Sequence, residues 1–141
     1  MIKKAMMVVA AAFWGVSASA AALPVGEYAG TRRIFGETKS YEAKLSIRGE
    51  GAYQTVDYNG MVFEVVPGPD MLLMAKGPQV TGEGACLGLP AGLVCSIGLR
   101  PQGSNLVYLT ATMIFNGSLV TAMINNASRS IWMKDVLTRQ R

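Results

Sequence analysis

Nine carboxylates, two cysteines and no histidine make up the reactive inventory of this chain. Histidine is the commonest general base near neutral pH, the usual partner of a serine or cysteine nucleophile and the commonest metal ligand, so its absence removes the readiest routes to catalysis. Paired carboxylates remain as a hydrolytic option. Yet Glu27, Glu37, Glu42, Glu50, Asp57, Glu64, Asp70, Glu83 and Asp135 are scattered along the sequence, most of them on outward strand positions or in turns. Surface solvation is the expected role of each, and no catalytic residue is assigned. Gly49-Glu50-Gly51 and Gly82-Glu83-Gly84 read as turn glycines, because neither opens a helix that would receive a phosphate.

Cys86 and Cys95 flank Leu-Gly-Leu-Pro-Ala-Gly-Leu-Val, whose Pro90-Ala91-Gly92 is a turn signal. Their spacing does not match the Cys-x-x-Cys arrangement of redox-active thiols. The expected state is a structural disulfide, which takes the remaining soft ligands away from zinc or copper, so neither metal nor cofactor is expected.

The disulfide needs an oxidising compartment, and the N-terminus supplies a route to one. Lys3 and Lys4 precede an apolar run over residues 5–16, and Ser17-Ala18-Ser19-Ala20 offers the small residues a signal peptidase requires. The run is shorter than the roughly 20 residues that cross a bilayer as a helix. Residues 1–22 are therefore read as a cleavable signal peptide, cut after Ala20 or Ala22. Residues 23–141 are read as a single β domain without a transmembrane segment, located in the periplasm, secreted or at the cell surface.

Removing Lys3 and Lys4 lowers the formal charge from +4 to +2, too little for a domain that binds nucleic acid through its phosphates. Arg32, Arg33, Lys39, Lys44 and Arg48 are interleaved with Glu37 and Glu42 and read as a solvated face.

The elements that must position these groups are strands. No window shows apolar residues at helical spacing between cap signals, whereas residues 41–48 alternate, with Tyr41, Ala43, Leu45 and Ile47 on one side. Two Asn-Gly dipeptides mark hairpins. A two-residue loop at Asn59-Gly60 pairs Val56 with Phe63 and Tyr58 with Met61. One at Asn116-Gly117 pairs Met113 with Val120, Ala111 with Ala122 and Leu109 with Ile124. Further strands are expected over 26–33, 71–75, 93–100 and 130–137, about eight or nine in all. A chain of sequential hairpins closes most economically into a small up-and-down antiparallel barrel; a two-sheet β-sandwich is the alternative. Gly26-Glu27-Tyr28 resembles the Gly-x-Trp opening of lipocalin-like barrels, with Tyr28 in place of the tryptophan, over a few residues only.

One feature is uneven. Fourteen charged residues lie between Glu27 and Glu83, but Arg100 alone lies between Gly84 and Ser128. Half-solvated strands normally carry Lys or Glu outside, partly against edge-to-edge association. The outward side of the second Asn-Gly hairpin, with Tyr108, Ile114, Leu119 and Met123, is therefore the expected partner-binding surface, unless a second sheet covers it. The function expected is non-enzymatic protein–protein interaction in the cell envelope or at the surface, with a protein partner or by self-association. A secreted inhibitor or immunity-type protein is one alternative, and a lipocalin-like carrier of a small apolar ligand is another.

Overall fold

The structure, a computed structural model, describes residues 23–49, 53–127 and 130–141. The expected signal peptide lies outside the described residues. Ten strands run β1 (Gly26–Ile34), β2 (Ser40–Arg48), β3 (Gln54–Tyr58), β4 (Met61–Pro67), β5 (Leu72–Lys76), β6 (Val80–Leu89), β7 (Gly92–Pro101), β8 (Leu109–Asn116), β9 (Leu119–Asn126) and β10 (Ile131–Arg139). Each pairs antiparallel with the next in sequence, and β10 returns to pair with β1, so the sheet is a closed up-and-down barrel. The sandwich alternative is excluded, and with it the idea that a second sheet covers the outer side of β8 and β9.

Alternation decides which side chains fill the lumen. Leu45 and Ile47 of β2, Val56 and Tyr58 of β3, Phe63 and Val65 of β4, and Val120, Ala122 and Ile124 of β9 are all buried, while the residues between them face out. The interior is packed with side chains and is not a channel. Among the described residues, an apolar cavity between Leu23, Ile47, Val56, Phe63, Cys95 and Met113 is about 30 Å³. A water would fit, but no polar group lines the cavity to hold one.

One end of the barrel is shut. Leu23 sits there with its N–H donating to Gln54 Oε1 at 2.9 Å and its carbonyl accepting from Gln54 Nε2 at 2.8 Å. Tyr28, in the segment that resembles the lipocalin opening, is 2 % exposed. The Arg139 guanidinium lies 5.7 Å over its ring and donates to the Val25 carbonyl at 2.8 Å. The first and last strands are thereby tied together across the floor.

The first hairpin has the expected register, with Val56 opposite Phe63 and Tyr58 opposite Met61. Asn59 and Gly60 both take positive φ, at 54° and 90°, as a type I′ turn demands. The second is corrected by two residues. Its loop is Gly117-Ser118, and Asn116 is in the strand opposite Leu119. Gly117, at φ 61°, occupies the first central position, where a glycine-led turn needs positive φ only once. This register places Phe115 against Val120, Met113 against Ala122 and Ala111 against Ile124. A slip of two leaves every side chain on its original face, so the predicted core side is retained although its pairs change.

A tenth strand, β6, stands where glycines were read as a turn. Gly82 and Gly84 lie inside it with no room for more: a Cβ on Gly84 would come 2.1 Å from the Ser96 carbonyl oxygen, and one on Gly82 would come 2.2 Å from that of Gly98. These glycines allow backbones to approach where the sheet curves tightly.

Candidate docking face

The outer surface divides into two unlike halves. On β1 to β3 the outward residues include Glu27, Arg33, Glu42, Lys44, Arg48 and Asp57. Glu27 accepts from the Ser46 hydroxyl at 2.7 Å and from Arg48 Nε at 3.1 Å, and these two partners hold its carboxyl below the ordinary glutamate range. This is a solvated polar wall.

From β6 to β10 the cross-strand partners form an uncharged row. Leu87 pairs with Val94, Val94 with Ile114, Ile114 with Thr121, and Thr121 with Val136, all on the outside. Leu87 is 62 % exposed, Ile114 45 % and Leu119 41 %. Beside the row run Ala85, Ser96, Thr112 and Met123, again in direct register, and on β10 this second row ends at the charged Lys134. Ser96 and Thr112 come within 3.4 Å through their hydroxyls. The face extends to β5, whose Leu72 pairs with Ala85 and whose Met74 is also exposed. Arg100, the one cation expected here, donates to Glu83 from Nη1 and Nη2, which neutralises both charges at the margin of the face.

Of the four residues expected to meet a partner, Ile114, Leu119 and Met123 are on this face. Tyr108 is not. It precedes β8, packs against the buried core and turns its hydroxyl toward Met61 Sδ at 3.8 Å, across the barrel end opposite Leu23. Alternation counted back from Ile114 fails there because the residue lies outside the ladder. Its N–H bonds to Leu99 O and its carbonyl accepts from Ala127 N.

Cys86 and Cys95 are disulfide-bonded and directly opposite each other on β6 and β7, with Cα atoms 4.0 Å apart. The bridge points inward and braces the hairpin that carries Leu87, Leu89 and Val94.

One polar cluster was not legible as such. Asp135 has no exposed surface. It accepts from Arg32 Nε at 2.8 Å and Nη2 at 2.9 Å, and from the Tyr58 hydroxyl. Arg32 and Asp135 thus leave the solvated faces assigned to them and point into the lumen. The pattern that contained the signal was the sequence of inward positions Tyr28, Gly30, Arg32 on β1 and Asp135, Leu137 on β10. Burial first, and then the adjacent carboxylate, push the Tyr58 phenol far above its ordinary range, so it stays protonated and donates. The hydrogen bond to Asp135 likewise raises the Arg32 guanidinium. Asp135, without exposed surface, offers a substrate no approach, and the arrangement joins β1, β3 and β10 across the lumen as a tie. Among the described residues no group of three or more His, Cys, Asp or Glu is placed to hold a metal ion. None of the described helices is long and apolar enough to cross a membrane.

Comparison with protein-family models, with curated proteins and with solved structures returned no match. The geometry alone therefore carries the functional reading.

Proposed function

We propose that this chain is an exported, non-catalytic β-barrel that works by protein–protein contact through the apolar stretch of its outer face that crosses β6 to β10. The observation that carries the reading is the row Leu87, Val94, Ile114, Thr121, Val136. It crosses five strands in register, on the outer side of a closed barrel, without one charged side chain. Exposed apolar surface of this kind is unfavourable in water by roughly 25 cal/mol per Å², and burying it against a partner recovers that energy. Apolar ligand transport has less support, because the 30 Å³ cavity admits no such ligand without displacing core side chains. The disulfide is consistent with an oxidising compartment.

Ile114→Lys with Leu119→Lys tests the reading. Both side chains point out of the barrel, so the double variant should retain the far-ultraviolet spectrum and cooperative unfolding of the parent. Native mass spectrometry with envelope extract should show complexes for the parent and none for the variant. Glu42→Gln, on the polar wall, should leave them intact. Unchanged complexes in the double variant would move the site elsewhere.

A further inference from the structure

We infer that Asn116 is a site of spontaneous deamidation, with the peptide nitrogen of Gly117 as nucleophile, and that Asn59, in the same dipeptide, is held back from the same reaction. The difference between the two lies in their hydrogen bonds. Its consequence, a carboxylate set into the apolar stretch of the outer face, rests on that stretch being a docking surface.

The chemistry belongs to the Asn-Gly pair itself. The glycine nitrogen attacks the asparagine side-chain carbonyl carbon: the N–Cγ bond forms, the Cγ–Nδ2 bond breaks, and the amide leaves as ammonia with the proton of the peptide N–H. The succinimide ring then takes up water at one of its two carbonyls. That C–N bond opens to aspartate or isoaspartate, and a proton is released. No oxidant, metal or enzyme enters the balance. Glycine favours the attack because it carries no Cβ to obstruct the nitrogen.

At Asn59-Gly60 both reacting groups are bonded. The Gly60 N–H donates to Asp57 Oδ1 at 2.9 Å, and Asn59 Oδ1 accepts from the Lys44 N–H at 2.8 Å. The Asn59 N–H donates in turn to Lys44 O at 3.0 Å. Bringing the nitrogen onto Cγ has to break this set, and each lost bond raises the barrier.

At Asn116-Gly117 these restraints are missing. Among the described residues, neither the Asn116 carboxamide nor the Gly117 N–H has a hydrogen-bond partner. A Cβ on Gly117 would meet nothing within 4 Å, so the ring has space to close. Asn116 is the last residue of β8 and pairs with Leu119 at the end of the ladder, where opening costs little. The Ser118 carbonyl accepts from the Arg139 N–H at 2.8 Å, but that bond lies beyond the peptide that reacts. Asn59 and Asn116 are both exposed, so access to water does not separate them.

The product lands in a particular place. Asn116 is opposite Leu119 and two residues along the same outward side of β8 from Ile114. Deamidation therefore puts a negative charge beside both, and isoaspartate adds a methylene to the main chain at the strand end. With ammonia lost, the change does not reverse, so the docking face has a finite working life after synthesis.

Incubating the purified protein at mildly alkaline pH, with peptide mapping by mass spectrometry, tests the assignment. Asn116 should convert at least about tenfold faster than Asn59, the factor that the bonds at the first turn impose. A mixture of aspartate and isoaspartate marks the succinimide route. In urea, where the native bonds are gone, the two rates should converge. Asp57→Ala, which frees the Gly60 N–H, should speed conversion at Asn59 and leave Asn116 unchanged. Equal rates in the folded parent, or a difference that persists in urea, overturns the assignment. For the consequence, Asn116→Asp should fold like the parent and lose the complexes that the parent forms with envelope extract. Intact complexes in Asn116→Asp, where Ile114→Lys with Leu119→Lys abolishes them, refute the effect of the charge. If the double lysine variant also keeps them, it is the docking reading that fails, and the peptide map alone decides the deamidation site.

Discussion

Asp135 has both carboxylate oxygens committed inside the barrel, to Arg32 and to the Tyr58 hydroxyl. Asp135→Asn leaves a largely enclosed guanidinium without its counter-charge, and chemical unfolding should show a loss of about 3 kcal/mol. Replacing Arg32 and Asp135 together with leucine removes both charges, so most of that loss should be recovered. Tyr58 carries a separate pH signature. The unfolded phenol releases its proton near pH 10, whereas the native one, with its raised pKa, keeps it. Above that pH the unfolded state binds fewer protons than the native state, so stability falls as pH rises and the full contribution is present only below about pH 10. The stability difference between the parent and Tyr58→Phe should therefore shrink between about pH 9 and pH 11. A gap that does not change with pH would place the phenol in water. Sequence alone did not show this cluster, because an Arg and an Asp separated by 103 residues become partners only when the first and last strands meet.

The elements most legible in the sequence were those where turn chemistry and alternation agreed. β2 declared itself by strict alternation, and β3 with β4 by an Asn-Gly pair that adopts positive φ twice. The second Asn-Gly pair misled the register, since a lone positive φ at Gly117 suffices and burying Phe115 favours the longer strand. β6 was hidden for a different reason: its glycines punctuate the sequence like a turn, but they are dictated by distances to the neighbouring backbone. Substitution distinguishes the two roles. Gly84→Ala brings a methyl to 2.1 Å from the Ser96 carbonyl oxygen and should cost about 1–3 kcal/mol in equilibrium unfolding. Gly88→Ala, in open space on the same strand, should be nearly silent in the monomer. Equal costs at the two positions would contradict the close approach at Gly84.

At the scale of the molecule, the all-β class and the barrel were readable from successive hairpins, and the uneven charge became one side of a cylinder. What the sequence did not disclose was that this side includes β5, and that Tyr108 lies off it, because neither follows from counting along a single hairpin. The disulfide adds to the stability of the whole. Closing so short a loop is worth about 2.7 kcal/mol in the chain-entropy model, so Cys86→Ala with Cys95→Ala should lower the unfolding free energy by about that amount. The variant should keep the native spectrum. If it lost the fold outright, the bridge would be a precondition of the barrel and not an increment to it.

The pairing of β1 with β10 also sets an order in time. A chain that emerges from a ribosome or a translocation pore N-terminus first presents β1 long before its closing partner exists. Until the final strand arrives, β1 and β9 are raw edges, each able to template a neighbouring chain. Closure of this barrel therefore waits for β10 to emerge, because it joins the first strand to the last. A nascent chain stalled before residue 131 is the species that a holdase chaperone would be required to shield.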